Sequence, residues 1–229
     1  MKTYLKKKWR AWRGTILLVT CVILPVRASI AAINFVPTGS MNPTILEGDV
    51  VFSNQLAYGL RIPLTERRLA TWADPERGDI VICFEPNDGT RLVKRVIAIP
   101  GDTIAMKDNR VLINGKTLDY GPLDPKVIKD LDDRLRHHAI FASESHDDGE
   151  HAVMAIQGAT SLHRSFPSKT MGPDEYFLMG DNRDNSQDSR IFGIMPRSKI
   201  VGQATHVALS FDKPDLFQPR WSRFFTPLD

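Results

Sequence analysis

Ile80-Val81-Ile82-Cys83-Phe84, a turn over Glu85 to Thr90, and Arg91-Leu92-Val93-Lys94-Arg95-Val96-Ile97-Ala98-Ile99 decide the reading of the fold. The first run is apolar and β-branched and has the length of a buried strand. Pro86, Asn87, Asp88 and Gly89 fill the turn, all residue types that turns favour. The second run is another strand, ended by Pro100-Gly101-Asp102. Working outward, Val50-Val51-Phe52, Glu175 to Met179, Ile200 to Ala204 and His206 to Phe211 are further strands. Val111-Leu112-Ile113 and Lys116-Thr117-Leu118 flank Asn114-Gly115, the strongest short hairpin pattern. Gln55 to Leu64 is a loop, Leu69 to Arg77 is polar, and the tail from Asp212 is Pro-rich and irregular. Short strands at this spacing, with few helical patterns, argue for an all-β domain.

The 229 residues suffice for one good-sized domain, or one with an insertion. At 42% hydrophobic and 25% charged, the composition is that of a globular protein. A net charge of +3 is too small to argue for nucleic acid. Cys21 and Cys83 make neither a disulfide framework nor a zinc pattern. The basic excess crowds into Met1 to Arg13, ahead of the apolar Thr15 to Val26. That arrangement reads as a signal peptide, as a retained anchor, or as a buried element. Basic residues before an apolar run keep the N-terminus cytoplasmic and send the rest of the chain across the membrane. Ser40 comes too soon after it for much to be removed, so an uncleaved single anchor is favoured.

Pro37-Thr38-Gly39-Ser40-Met41-Asn42-Pro43-Thr44 lies just after that segment. A serine between a glycine and a Met-Asn-Pro turn is a candidate nucleophile; alone, the stretch reads more readily as a surface turn. A nucleophilic serine needs a base, and no histidine stands in a recognisable triad context. A lysine serves if burial removes its proton. Lys94 sits in a strand apolar enough for that, and strand alternation sends Lys94 and Arg95 to opposite faces. The bland reading of Lys94 is a solvated edge residue. Gly180 to Arg190 holds Asp181, Asp184 and Asp188 together with Asn, Ser and Arg, framed by core on both sides. Charges so placed should be paired: Asp188 with Arg190, while Ser186 could orient the Lys94 amine. An EF-hand reading fails for want of the central glycine and the terminal glutamate.

Thr38 to Thr44, Gly78-Asp79-Ile80-Val81, Lys94-Arg95-Val96 with Pro100-Gly101-Asp102, and Gly180 to Ser186 with Asp188-Ser189-Arg190 together resemble the successive boxes of bacterial type I signal peptidases. The resemblance runs from about Val36 to Ala204 and leaves out the insertion. It implies a membrane-anchored serine endopeptidase with a Ser/Lys dyad. Such an enzyme removes signal peptides from preproteins, after small residues, on the outer side of the cytoplasmic membrane. The implied fold is an antiparallel β-sheet catalytic domain with an inserted subdomain; the one N-terminal anchor helix expected here is a short segment where the family pattern has two. Ser40 would be the nucleophile and Lys94 the base, with the Ser40 N–H and the Thr38 hydroxyl as oxyanion hole and Ser186 supporting Lys94. Arg95, Asp181, Asp188 and Arg190 would be structural ion-pair residues. Val36, Pro37, Met41, Ile45, Leu92 and Val93 would line the pockets for the small side chains at −1 and −3. No cofactor or metal is implied; the partners are preprotein signal peptides and the lipid bilayer, and the chain is taken as a monomer.

Two positions depart from the pattern: Thr38 replaces the commoner serine, and Asn34 replaces an apolar residue at the deep side of the −3 pocket. The expected layout is a basic head over 1–13, an anchor over 14–33, core over 34–118, an inserted subdomain over 119–168, core over 169–211 and a tail over 212–229. His146, His151 and nearby acids could bind a metal, although a solvated loop accounts for them as well. A dedicated maturation peptidase of a conjugative or secretion system fits the same boxes. A self-cleaving repressor-type regulator should carry a DNA-binding segment and no anchor, and a non-enzymatic β domain should tolerate loss of Ser40 and Lys94.

Overall fold

Pairing between Ile80–Phe84 and Arg91–Ala98 sets Ile80 opposite Arg95 and Val81 opposite Lys94. Because paired residues share a face and neighbours alternate, this ladder builds two apolar layers at once. The computed structural model describes residues 12–15, 30–62, 67–146, 149–213 and 218–228. In chain order its strands begin with β1 (Ala31–Phe35), β2 (Asp49–Asn54), β3 (Gly59–Arg61), β4 (Arg68–Thr71), β5 (Ile80–Phe84) and β6 (Arg91–Ala98). Next come β7 (Thr103–Lys107), β8 (Arg110–Ile113), β9 (Lys116–Thr117), β10 (Asp119–Gly121), β11 (Ala139–His146) and β12 (Gly149–Ile156). The last six are β13 (Phe166–Thr170), β14 (Glu175–Met179), β15 (Met195–Pro196), β16 (Ile200–Asp212), β17 (Gln218–Pro219) and β18 (Thr226–Pro227).

The main antiparallel sheet runs β1-β2-β16-β5-β6-β14-β15, with β17 and β18 added along β16. On one face Val36, Met41, Ile45, Val51, Ile80 and Ile82 form a buried cluster. On the other, Val81, Cys83, Val96, Tyr176, Leu178 and Ile200 form a second. A smaller sheet, β13-β7-β8-β9, closes a third cluster around Ile97, Ile104, Val111 and Phe177. β10-β11-β12 form a separate sheet, and a short helix, α1 (Asp133–His138), leads into β11.

Several readings change. The loop over Gln55 to Leu64 and the polar stretch after it contain β3 and β4, which pair as a hairpin. The two closing strands are one, β16, whose pairing with β2 shifts register between Ala204 and His206 and between Val207 and Leu209. Such bulges leave the alternation broken in sequence while the ladder continues. The tail is not irregular throughout: Gln218 and Thr226 pair with β16, and Arg223 forms an ion pair with the buried Asp49. β1 begins at Ala31, so the last three residues assigned to the anchor lie in the main sheet. The rest of the expected anchor lies mostly outside the described residues. Among those described, no helix is long and apolar enough to cross a membrane.

Candidate active site

Ser40 stands on the turn that links β1 to β2. Asn42 N donates to Gly39 O at 3.1 Å and Ile45 N to Met41 O at 2.9 Å, which coils the segment tightly. Met41 and Ile45 are thereby driven into the apolar cluster and hold the loop down. The segment after β14 clamps it from the other side. Asn182 N donates to Ser40 O at 3.2 Å, Asn182 Nδ2 donates to Gly39 O at 3.0 Å, and the Thr44 hydroxyl donates to Asp181. Gly180 is required by close approach: a methyl group there would overlap both Ser40 O and Ser186 Oγ.

Lys94 is 2% exposed. Its Nζ lies 2.7 Å from Ser40 Oγ and 2.9 Å from Val93 O. It makes no ion pair with any described residue. Burial pushes its pKa below the ordinary lysine value, and the nearby Asp188 only partly offsets this. A neutral amine there has a lone pair to take the Ser40 proton. The neighbouring Cys83 is a buried free thiol, and burial pushes it up to about 12, so it is an inert packing residue.

The charges around the dyad are paired. Arg95 grips Asp181 through two bonds, Nε–Oδ1 at 3.0 Å and Nη2–Oδ2 at 2.9 Å. Arg190 grips Asp188 at 2.8 and 2.6 Å, and Asp188 also accepts from Gly180 N at 3.0 Å. Burial works against charge on both carboxyls, and the guanidinium beside each nevertheless holds it below the usual range. Asp188 also caps α2 (Ser189–Phe192), whose Ser189 Oγ accepts from Leu178 N at 2.9 Å.

Ser186 does not support the amine in the way expected. Its Oγ is buried against Gly180 and directed to the Asp188 carboxylate rather than to Lys94, and Lys94 takes its second contact from the carbonyl of its own strand neighbour instead. The pocket residues divide. Val36, Met41, Ile45 and Val93 meet in one cluster, whereas Leu92 packs into the cluster on the opposite face. Adjacent strand positions alternate, so Leu92 and Val93 cannot share a pocket. Pro37 is exposed, its carbonyl accepting from Lys213 Nζ at 2.8 Å. Thr38 is exposed. Asn34 is buried on the face of Val51, bonded through Nδ2 to Ser53 Oγ at 2.9 Å.

The described part of the histidine-rich stretch is a hairpin and not a solvated loop. His146 and His151 lie on the β11–β12 hairpin, and no His/Cys/Asp/Glu group among the described residues is placed to hold a metal. His151 is buried, with Nε2 3.4 Å from Glu144 Oε1. Glu144 is wholly buried and takes two bonds of 2.7 Å from Arg183 and one of 2.6 Å from Tyr120. Burial opposes its charge, yet Arg183 keeps its carboxyl well below the ordinary range. The Glu144–Arg183 pair therefore docks the insertion onto the segment that clamps Ser40, as does the bridge between Met154 and Asn182. Thr44, Asn182 and Glu144 escaped the sequence reading. Thr44 and Asn182 lay inside stretches read as turn and loop, while Glu144 carries no local pattern at all.

Residues 9–209 match the family described as signal peptidase, peptidase S26. A signal peptidase I of Pseudomonas aeruginosa is 31% identical over 220 residues, covering 90% of this chain and 74% of its own. That of Pseudomonas fluorescens is 32% identical, with coverage of 90% and 74%. That of Rickettsia typhi is 34% identical, with coverage of 84% and 77%.

Proposed function

The chain belongs to the signal peptidase family, peptidase S26, and we propose that Ser40 and Lys94 form the dyad with which it cuts. It is a peptidase that removes signal peptides from preproteins. One observation carries the assignment: a fully buried lysine, with no ion-pair partner among the described residues, has its Nζ 2.7 Å from a serine hydroxyl. An unpaired ammonium is costly there, and burial lowers the Lys94 pKa toward the neutral, basic amine.

Lys94 takes the proton as Ser40 Oγ attacks the carbonyl carbon of the scissile bond. The Ser40 N–H and the Thr38 hydroxyl donate to the resulting oxyanion. The Lys94 ammonium returns the proton to the departing amine, the new N-terminus of the mature protein. Lys94 then takes a proton from water, whose oxygen attacks the acyl-Ser40 ester; collapse frees the signal peptide's carboxylate and restores the Ser40 hydroxyl. Arg95–Asp181 and Arg190–Asp188 hold the clamp that fixes Ser40. Val36, Met41, Ile45 and Val93, which meet in one apolar cluster, would receive the small side chains at −1 and −3.

A single N-terminal anchor over 14–33 would hold the catalytic domain at the outer side of the cytoplasmic membrane. The exposed row of Ile33, Phe35 and Phe52, with Trp221 and Phe225, supports contact with lipid. The test is cleavage of a preprotein with an Ala-x-Ala site, in detergent, by the wild type, Ser40→Ala and Lys94→Ala. Cleavage after the alanine by the wild type alone, with all three folded, is expected. Cleavage by Lys94→Ala would move the base elsewhere.

A further inference from the structure

We propose that a groove beside the nucleophile loop binds a cationic side chain of the substrate on the mature side of the cut, an inference that rests on the Ser40–Lys94 reading. The groove has a volume of about 560 Å³. Asn42, Leu46 and Glu47 form one wall, and the insertion from Lys129 to Asp133 forms another. Met41 and Ile45 face the apolar cluster, while their chain neighbours Asn42 and Leu46 face the groove, so the two lie on opposite sides of one loop. The groove wall reaches the reacting serine. Asn42 Nδ2 and Glu47 Oε1 stand 2.7 and 3.3 Å from where a Cβ on Gly39 would be, one residue before Ser40. A peptide whose −1 side chain was directed to the apolar cluster would cross Ser40 and meet this wall.

The chemistry of the wall is one-sided. It carries five acidic residues, Glu47, Asp130, Asp132, Asp133 and Asp212, against Lys129 and Arg220. Arg220 is already paired with Asp212, and Asp133 is paired with Arg136 outside the wall. Glu47 makes no ion pair with any described residue. Asn42 is 4% exposed, and its Oδ1 has no hydrogen-bond partner among the described residues. These groups accept hydrogen bonds, and the side chains that match them in both donors and charge are lysine and arginine. The carboxylates are spread along the groove and, among the described residues, converge on no metal site, an arrangement suited to an extended chain.

The test uses the full chain in detergent and peptides with an Ala-x-Ala site. Serine fills positions +1 to +4, and lysine is then placed singly at each. At low salt, lysine at one or more positions should raise kcat/KM roughly fivefold, the worth of one partly exposed charge pair, and high salt should shrink the gain. Glu47→Gln and Asp132→Asn should each bring the lysine-to-serine ratio toward one. If the serine peptide is cut and lysine helps at no position, or if the ratio survives Glu47→Gln, the groove proposal is overturned and the dyad stands. If the wild type cuts none of the peptides, the reading as a general Ala-x-Ala peptidase gives way to a dedicated one, and the groove proposal is overturned with it.

Discussion

Lys94 is where activity and stability oppose each other. Below its lowered folded pKa the buried ammonium penalises the native state in full. Between that pKa and the ordinary lysine value of about 10.4, the unfolded chain binds more protons, so stability rises with pH. Lys94→Met should remove this rise and stabilise the fold by roughly 1–2 kcal/mol at neutral pH, as read by urea unfolding, while abolishing cleavage. For the wild type, kcat/KM should climb with pH as Lys94 loses its proton and level off below the ordinary lysine range. A profile that kept rising to that range would mean the amine is not depressed. Ser40 and Lys94 were legible because each sits in a short run whose turn chemistry or alternation restricts it. Leu92 was grouped with Val93 through the resemblance alone, whereas the strand sends these neighbours into opposite apolar clusters.

At the scale of elements, the clamp after β14 and the insertion act as one unit. Glu144 and Arg183 are both nearly inaccessible, and each is the other's charge partner. Removing one leaves a buried charge exposed to the full desolvation cost. Glu144→Leu and Arg183→Met should each cost about 3–5 kcal/mol, and the double variant should cost less than their sum. Additive unfolding energies would show that the pair is not coupled. Gly180→Ala pushes a methyl group into Ser40 O. It should lower kcat roughly a hundredfold by displacing the nucleophile, measured on a folded variant. The stretch from Asp119 was set apart in the sequence by its break in the strand pattern, and its strands β10, β11 and β12 form a sheet of their own. Its docking was not readable, because an ion pair spanning 39 positions leaves no periodic trace. His151 looked solvated for the same reason, since its acidic and histidine neighbours gave no hint of the burial that a hairpin partner would impose.

At the scale of the molecule, strands that are buried on both faces read most clearly, as β5 and β6 did through their continuous apolar runs. The hairpin of β3 and β4 did not, being short and polar, and β16 was split by bulges. The outer face of β1, β2 and β16 shows what a sheet does when none of the described residues covers it. Ile33 stands opposite Phe52, and Phe35 and Leu209 both stand opposite Val50, so the exposed apolar side chains form two adjacent rows. Trp221 and Phe225, both more than two-thirds exposed, lie on the segment that returns along β16. Soluble proteins seldom leave such a contiguous patch without a partner, and under the proposed reading that partner is lipid. Burying each aromatic ring is worth about 1.5 kcal/mol or more. Phe35→Glu combined with Phe52→Glu should therefore lower kcat/KM for a vesicle-embedded preprotein roughly tenfold relative to a short soluble peptide. Equal losses on the two substrates would instead assign these residues to the fold or the cleft.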